Sequence, residues 1–196
     1  MSISLVAGLG NPGREYEGTR HNLGWVVLDA FAQKLGLAWK TQPQFRASVA
    51  RWDRPGQPAC LLAKPLTFMN DSGVAISMLA RFYKLTPPAV AVIYDDLNID
   101  LGLVKVAITG SAGGHNGVAS LLEHLGNGFV RYRLGIGPKH PPQMDLKDFV
   151  LAQFSSAQNS VVEKKLPHYL TGLDLLLSSD VGRAMNQLNR RDTATA

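Results

Sequence analysis

The sequence predicts an α/β fold: a single domain in which a twisted mixed β-sheet is flanked by helices. Short apolar runs bounded by glycine or proline alternate along the chain with stretches whose apolar residues recur at helical spacing. One pair of strand-like runs is joined by a short loop rich in proline and glycine, which predicts a hairpin within the sheet. The 196 residues are 45% hydrophobic and 18% charged, as expected of one globular domain with a full core.

The chain opens with a predicted strand, a polar loop and a helix. Residues 3–7 form a continuous apolar run that ends at glycine, which indicates a buried strand. Apolar residues then recur at helical spacing over residues 23–35. Asn22 is the expected N-cap of this helix, and Gly36 is the expected stop.

A hairpin and a second helix follow. Residues 46–52 and 59–63 are the two predicted strands of the hairpin, and the turn between them contains proline and glycine. The second helix is predicted after residue 70. Its apolar residues share one face, which we expect to be buried: Val74, Met78, Leu79 and Phe82.

The middle of the chain supplies the remaining predicted strands. Residues 90–94 form a β-branched strand that runs into Asp95 and Asp96, and residues 103–108 form another. A glycine-rich loop at residues 110–117 leads into a short helix at residues 118–125. The final strand, residues 131–136, places Tyr132, Leu134 and Ile136 on one face and two arginines on the other.

The C-terminal third is predicted to be mostly helical. A proline-rich loop at residues 137–143 precedes a helix at about residues 160–177. We find no repeat and no linker, so residues 1–188 are interpreted as one domain. Residues 189–196 are predicted to be a flexible tail.

Charge and cysteine content narrow the functional class. Twenty Lys and Arg against fifteen Asp and Glu give a net charge of +5, which favours a polyanionic partner such as nucleic acid. Cys60 is the single cysteine and lies in an apolar run, which fits a reducing, cytoplasmic setting. The sequence shows neither a signal peptide nor an apolar run long enough to span a membrane, so no membrane association is expected.

The loop at residues 8–24 is rich in glycine and in polar residues. Gly8, Gly10 and Gly13 match the G-x-G-x-x-G pattern of dinucleotide-binding proteins, which makes a dinucleotide-dependent enzyme one alternative. That pattern requires a helix to begin at the loop, whereas the helical pattern here begins only near Leu23. The match alone therefore does not favour a nucleotide site, and no cofactor is expected.

Several polar residues follow strands or lie in glycine-rich loops, where α/β proteins place their active sites: Asn11, His21, Asn70, Asp95, His115 and Asn116. Each has an ordinary explanation alone, since Asn and Asp favour turns and helix caps. Together they supply two imidazoles, a carboxylate and amides without an obvious nucleophile or a metal-binding spacing. A His–Asp pair of this kind predicts activation of water, and the amides could stabilise an oxyanion.

Four motifs in order make the resemblance to a known family specific. GLGNPGREYEGTRHN at residues 8–22, KPLTFMN at 64–70, YDDL at 94–97 and GGHNG at 113–117 resemble the signatures of bacterial-type peptidyl-tRNA hydrolases. RYRLGIG at residues 131–137 and FVL at 149–151 resemble later segments of that family. The chain is therefore identified by resemblance as a member of it.

The resemblance implies an esterase that cleaves the bond between a peptide and the 3′ end of tRNA and so recycles tRNA from aborted translation. It implies a metal-free, monomeric, cytoplasmic enzyme that needs no obligate protein partner. By this resemblance His21 is the base and Asp95 orients it, while Asn11 discriminates N-blocked from free aminoacyl groups. Asn116 is the expected oxyanion donor. The resemblance also assigns Tyr16, Phe68, Asn70 and Asn116 to the peptidyl and 3′-terminal groups of the substrate. Of the other substrate-site residues, Met69 is expected to shape the crevice and His115 to support the loop bearing Asn116.

The resemblance further implies that basic residues hold the phosphate backbone at the acceptor end of tRNA. Lys105, Arg131 and Arg133 stand at matching positions. Ala107 and Ala119 stand where relatives often have a basic residue. These two differences bear on the strength of phosphate binding more than on the chemistry. The alternative function is a non-catalytic RNA-binding relative of the same fold.

Overall fold

The computed structural model describes residues 2–190, and these build one seven-stranded mixed sheet. Its strands are β1 (Leu5–Gly8), β2 (Lys40–Gln42), β3 (Ala47–Trp52), β4 (Cys60–Pro65), β5 (Val90–Asp100), β6 (Val104–Ala107) and β7 (Val130–Gly137). Their order across the sheet is β2-β3-β4-β1-β5-β7-β6. Neighbours from β4 to β7 run parallel, and the two antiparallel pairings at the β2–β3–β4 edge and the one at β6 make the sheet mixed.

Helices cover both faces of the sheet, as the sequence predicts. They are α1 (Leu23–Lys34), α2 (Ser72–Phe82), α3 (Asn116–His124), α4 (Leu146–Leu151), α5 (Ser156–Ser178) and α6 (Val181–Leu188). Successive residues of β1 separate into two cores, with Val6 beside Phe31 and Tyr169 on one face and Leu5 beside Ile76 on the other. Because both faces are buried, the central strands read as continuous apolar runs. No helix within residues 2–190 has the length and apolar character to cross a membrane.

Two details of helix ends and faces differ from expectation. Gly36 ends the first helix as predicted, with a φ of +67°. Asn22 precedes that helix, but its side chain makes no capping hydrogen bond and instead binds Asn11. In α2 the predicted apolar face is partly wrong, since Phe82 is 66% exposed while Ile76 is buried.

Element boundaries also shift where tertiary contacts extend them. The predicted strand at residues 90–94 continues to Asp100, so Asp95 lies inside β5, and the pairing with β7 becomes irregular after Asp96. The short elements β2 and α4 and the final helix α6 were not predicted.

The predicted tail begins with an anchored residue. The Asn189 side chain accepts a hydrogen bond from Val106 N–H at 2.7 Å and donates one to Val106 O at 2.8 Å. Residues 191–196 of the predicted tail lie outside the described residues.

Candidate active site

A cleft of about 480 Å³ opens at the carboxyl edge of the parallel strands. The loops after β1 and β4, the segment from β5, the start of α3 and helix α4 all contribute to its wall. This edge is where open α/β sheets bind ligands. The cleft gathers most of the predicted site residues: Asn11, Tyr16, His21, Phe68, Met69, Asn70, Asp95, His115 and Asn116.

The carboxylate of Asp95 joins two imidazoles at the base of this cleft. His21 Nδ1 lies 3.0 Å and 3.1 Å from the two carboxylate oxygens, and His115 Nε2 lies 3.1 Å from Oδ1. Asp95 is 2% exposed and His21 is 6% exposed, so the pair is shielded from water. The sequence pairs His21 with Asp95, and the structure adds His115 as a second partner of the same carboxylate.

Hydrogen bonding fixes which ring nitrogens carry protons. His115 Nδ1 accepts the Val118 N–H at 3.3 Å, so its Nε2 must be the protonated atom that donates to Asp95. His21 likewise donates from Nδ1 to Asp95. This leaves His21 Nε2 unprotonated and available as a base when the ring is neutral.

The surroundings of Asp95 favour its ionised form. Burial by itself penalises the charge, but the charges of His21 and His115 and their hydrogen bonds outweigh it and hold the pKa of Asp95 well below its ordinary range. Asp95 therefore stays a carboxylate at any pH near neutrality and can stabilise a positive charge that develops on His21.

A network of two asparagines presents the Asn11 amide to the cleft. Asn22 Oδ1 accepts the Asn11 N–H at 2.8 Å, and Asn22 Nδ2 donates to Asn11 O at 3.0 Å. Asn11 Oδ1 accepts the Met69 N–H at 2.7 Å. Because that oxygen is occupied, the NH₂ group is the part of the Asn11 amide left to donate to a ligand.

The turn that carries His21 is fastened to the C-terminal part of the chain by Arg20. Its guanidinium is buried, lies 4.5 Å from the Phe149 ring centroid, and has its pKa lowered by burial. It donates to three backbone carbonyls and one side chain: Phe149 O, Ala152 O, Gln153 O and Gln158 Oε1. The segment around Phe149 thereby sets the position of the base.

The glycines of the first loop serve close packing. A Cβ at Gly8 would lie 2.6 Å from Gly24 O, and one at Gly10 would lie 2.7 Å from the Trp25 ring. Helix α1 begins at Leu23, well beyond this loop. The glycines let the loop fold against α1, and the helix N-terminus that a dinucleotide site requires is not at the loop.

The walls of the cleft combine apolar and amide groups. Phe68 is 54% exposed and meets Tyr16 edge to face, with ring centroids 6.2 Å apart. Met69 is buried beneath them, while Asn70 and Asn116 are exposed. Asn116 does not cap α3, because the His115 side chain does so. The Asn116 amide is therefore not used to cap the helix that begins at this residue.

The three predicted phosphate-binding residues lie in different surroundings. Arg131 is 3% exposed, and its guanidinium donates to Ser111 O at 2.7 Å and to Gly110 O. Arg133 pairs with Asp96 at 2.8 Å and is half-buried. Lys105 is exposed on β6. Arg131 thus holds the glycine-rich loop in place, and Lys105 is the most accessible of the three.

The cleft also contains a group that sequence reasoning left on the surface. Lys147, on α4, forms part of its wall. No sequence pattern indicates this placement, because α4 is only six residues long and follows a proline-rich loop. Arg20 and Asn22 were missed as positioning residues for a similar reason, since their partners are distant in sequence.

The described residues of the wall offer a base but no aliphatic hydroxyl or thiol that could act as a nucleophile, and the hydroxyl of Tyr16 is a phenol on a ring packed edge to face against Phe68. Ser, Thr and Cys are absent from that part of the lining. His21, Asp95 and His115 place potential metal-ligand atoms within 4.8 Å of one another. The nitrogens that face Asp95 donate to it, and the other nitrogen of His115 accepts from Val118, so a metal there would have to displace these hydrogen bonds.

The chain is similar over nearly its whole length to known proteins. A family model described as peptidyl-tRNA hydrolase matches residues 5–196. A peptidyl-tRNA hydrolase of Symbiobacterium thermophilum is 42% identical over 188 residues, which cover 94% of this chain and 98% of the relative. One from Synechocystis is 41% identical over 193 residues, or 98% of each chain. The structure of peptidyl-tRNA hydrolase from Acinetobacter baumannii is similar with a TM-score of 0.88 and 35% identity, over 95% of this chain and 94% of that one.

Proposed function

Because the chain belongs to the peptidyl-tRNA hydrolase family, we propose that its cleft hydrolyses the ester between a peptide and the 3′ end of tRNA by activating water with His21. Hydrolysis of peptidyl-tRNA is the activity of the family, which consists of enzymes. The observation that carries the mechanism is the buried His21–Asp95 pair, which leaves one imidazole nitrogen free at the base of the cleft.

The chemical steps follow from that geometry. His21 Nε2 takes a proton from a water molecule as its oxygen attacks the ester carbonyl, and Asp95 stabilises the imidazolium that forms. The amide of Asn116 donates to the developing oxyanion. When the tetrahedral intermediate collapses, the bond to the 3′ oxygen breaks and the imidazolium returns its proton to that oxygen. The products are tRNA with a free 3′ hydroxyl and a peptide carboxylic acid, which then releases its proton to solvent and becomes a carboxylate.

Other cleft residues act on the substrate. Tyr16, Phe68 and Met69 supply an apolar wall for the peptidyl group, and Asn70 borders it. The Asn11 NH₂ group can meet the carbonyl of an N-blocked substrate, which is the proposed basis for rejecting free aminoacyl groups. His115 acts indirectly, by capping α3 and sharing Asp95.

Phosphate binding is proposed on β6 and β7, which are connected to the cleft by the pairing of Arg133 with the cleft residue Asp96. Lys105 is exposed there and is the proposed direct contact, with Arg133 beside it in its pair with Asp96. Arg131 contributes by holding the carbonyls of the glycine-rich loop.

We also propose that the protein works as a cytoplasmic monomer without an obligate protein partner, with residues 1–188 as its domain. Its proposed partner is tRNA. The free thiol of Cys60 is buried in the core. Sedimentation equilibrium over a hundredfold range of protein concentration is expected to give the mass of one chain, 21.2 kDa. A concentration-dependent dimer would contradict the monomer.

The test is hydrolysis of N-acetyl-aminoacyl-tRNA beside free aminoacyl-tRNA, with a chelator present. We expect release from the blocked substrate only, and a loss of about 10² to 10⁴ in turnover for His21→Ala. His168→Ala is the matched control, since His168 is exposed on α5. Tight tRNA binding without release by the wild-type protein would favour the non-catalytic RNA-binding alternative.

A further inference from the structure

Three aromatic side chains form a cluster outside the cleft, which we call the aromatic patch: Phe45, Phe82 and Tyr83. The ring centroid of Phe82 lies 5.0 Å from that of Phe45 and also 5.0 Å from that of Tyr83. Phe45 is buried, whereas Phe82 is 66% and Tyr83 is 37% exposed. Phe82 is the most exposed large apolar side chain among residues 2–190. A well-packed base thus supports two aromatic rings that face solvent.

The two chain segments that carry the aromatic patch are positively charged. Its rings come from two segments, residues 37–49 and 72–89, and neither contains an Asp or a Glu. The same segments contain four exposed cations: Lys40, Arg46, Arg81 and Lys84. None of the four pairs with an acidic side chain of the described residues. Exposed rings among unpaired cations are the combination that binds nucleic-acid strands, because bases stack on the rings and phosphates meet the cations.

The backbone beside the aromatic patch adopts an unusual conformation at two of these cations. Arg46 has a φ of 51° and Lys84 has a φ of 54°. They are the only residues other than glycine with positive φ within residues 2–190. Glycine is the residue that usually occupies such positions, including the one after a helix such as α2. The chain instead places a long cation at each, directly next to Phe45 and Tyr83.

The aromatic patch is separate from the cleft. Helix α2 begins at Ser72, close to the cleft residue Asn70, and its 11 residues place Phe82 about 15 Å further along the helix axis. The patch therefore needs a ligand other than the ester bond seated at His21.

We propose that the aromatic patch binds single-stranded RNA, with bases stacked on Phe82 and Tyr83 and phosphates held by Lys40, Arg46, Arg81 and Lys84. The absence of acidic residues from both segments favours RNA over a protein partner, since an apolar protein interface has no need of four unpaired cations. This RNA surface goes beyond the proposed hydrolysis and does not depend on it.

The test is fluorescence anisotropy with a 12-nucleotide single-stranded RNA labelled at its 3′ end, which keeps that end from entering the cleft. The Phe82→Leu/Tyr83→Leu variant keeps the apolar character but removes the rings, and we expect it to bind at least about tenfold more weakly. Arg81→Gln/Lys84→Gln should reduce the slope of log K against log salt by about 1.4. Val26→Leu is the control, because Val26 is 42% exposed on α1, away from the patch.

Hydrolysis of N-acetyl-aminoacyl-tRNA at saturating substrate separates this proposal from the previous one. The Leu variant should keep the wild-type turnover and thermal midpoint while losing RNA affinity. Equal RNA affinity in the wild type and the Leu variant, or no RNA binding by the wild type, would overturn the RNA surface whatever the hydrolysis shows. A wild-type dimer that the Leu variant abolishes, with RNA affinity unchanged, would assign the patch to a second copy instead.

Discussion

Asp95 accepts hydrogen bonds from two imidazoles while almost sealed from solvent. His21 is the proposed base and keeps its second ring nitrogen, Nε2, unprotonated. His115 instead uses its second ring nitrogen, Nδ1, to cap α3. The carboxylate therefore fixes the tautomer of the base and ties it to the helix that presents Asn116. Removing its charge should affect catalysis far more than folding.

Asp95→Asn should lower turnover by at least about 10². An amide at this position can still hold the His21 ring, but it does not keep the proton on Nδ1 as the carboxylate does. The measurement is kcat on N-acetyl-aminoacyl-tRNA, with circular dichroism and a thermal melt to check folding. Asp100→Asn is the matched control on the same strand. Near-wild-type turnover in Asp95→Asn would remove Asp95 from the mechanism.

Asp95 should also make stability depend on pH in acid. Its pKa is lowered from 3.8, because the charges and hydrogen bonds of both histidines outweigh burial. Ionised Asp95 therefore makes its full contribution to the free energy of unfolding above the ordinary pKa of 3.8. That contribution is lost as the pH falls through the lower pKa that Asp95 has in the folded protein. Below about pH 4, Asp95→Asn should reduce the slope of the free energy of unfolding against pH by up to about 1.4 kcal/mol per pH unit, as measured by urea titrations. An unchanged slope would contradict the lowered pKa.

Much of the site could be anticipated at the residue level, and the rest depends on contacts between distant residues. His21, Asn11 and Asp95 stand out because polar groups at strand ends converge at one edge of the sheet. The role of Asn22 could not be read from its position before a helix, where capping is the ordinary expectation. Arg131 resembles a phosphate ligand in sequence, but its guanidinium is buried against backbone carbonyls.

At the scale of elements, the turn Arg20–Asn22 depends on the segment that follows it by more than a hundred residues. Arg20→Ala would leave three carbonyls and Gln158 without a charged donor, and we expect the free energy of unfolding to fall by about 2–4 kcal/mol. Turnover should fall as well, because His21 is the next residue. Urea denaturation measures the first effect and steady-state kinetics the second.

The control for that variant is Arg51→Ala. Arg51 pairs with Asp53 on the surface at 2.8 Å, and its loss should change the unfolding free energy by less than about 1 kcal/mol. Equal losses from Arg20→Ala and Arg51→Ala would show that the buried hydrogen bonds of Arg20 do not fasten the turn.

Long patterned elements were the predictable ones. The hairpin of β3 and β4 and the glycine that ends α1 carry local signals in their own residues. Strand β2 has three residues and α4 has six, which is too short for a periodic pattern to show. Phe82 satisfied the helical spacing of α2, yet the burial of Ile76 and Leu79 decides which face meets the sheet.

At the scale of the whole molecule, the net charge of +5 is unevenly placed. Arg131 and Arg133 are engaged with protein groups, whereas Lys147 lines the cleft and Lys105 is exposed on β6. Ala119 is exposed on α3, three residues after Asn116, which begins that helix. This is the place where an added cation should reach a phosphate of bound tRNA.

Ala119→Lys should tighten tRNA binding and steepen the slope of log K against log salt by about 0.7–0.9, the amount expected of one phosphate contact. The measurement is a salt titration of deacylated tRNA binding. Ser178→Lys is the control, since Ser178 is exposed at the end of α5 and adds the same charge elsewhere. Equal steepening by both substitutions would show a general charge effect and no phosphate site at α3.

The central claim is that His21 and Asp95 act as one unit that activates water, and a double-mutant cycle tests it most directly. The measurement is kcat for the wild type, His21→Ala, Asp95→Asn and the double variant on N-acetyl-aminoacyl-tRNA. If Asp95 works only through His21, the double variant should be about as slow as His21→Ala alone. Losses that multiply would contradict the claim, because they would show that Asp95 contributes to hydrolysis independently of the base it holds.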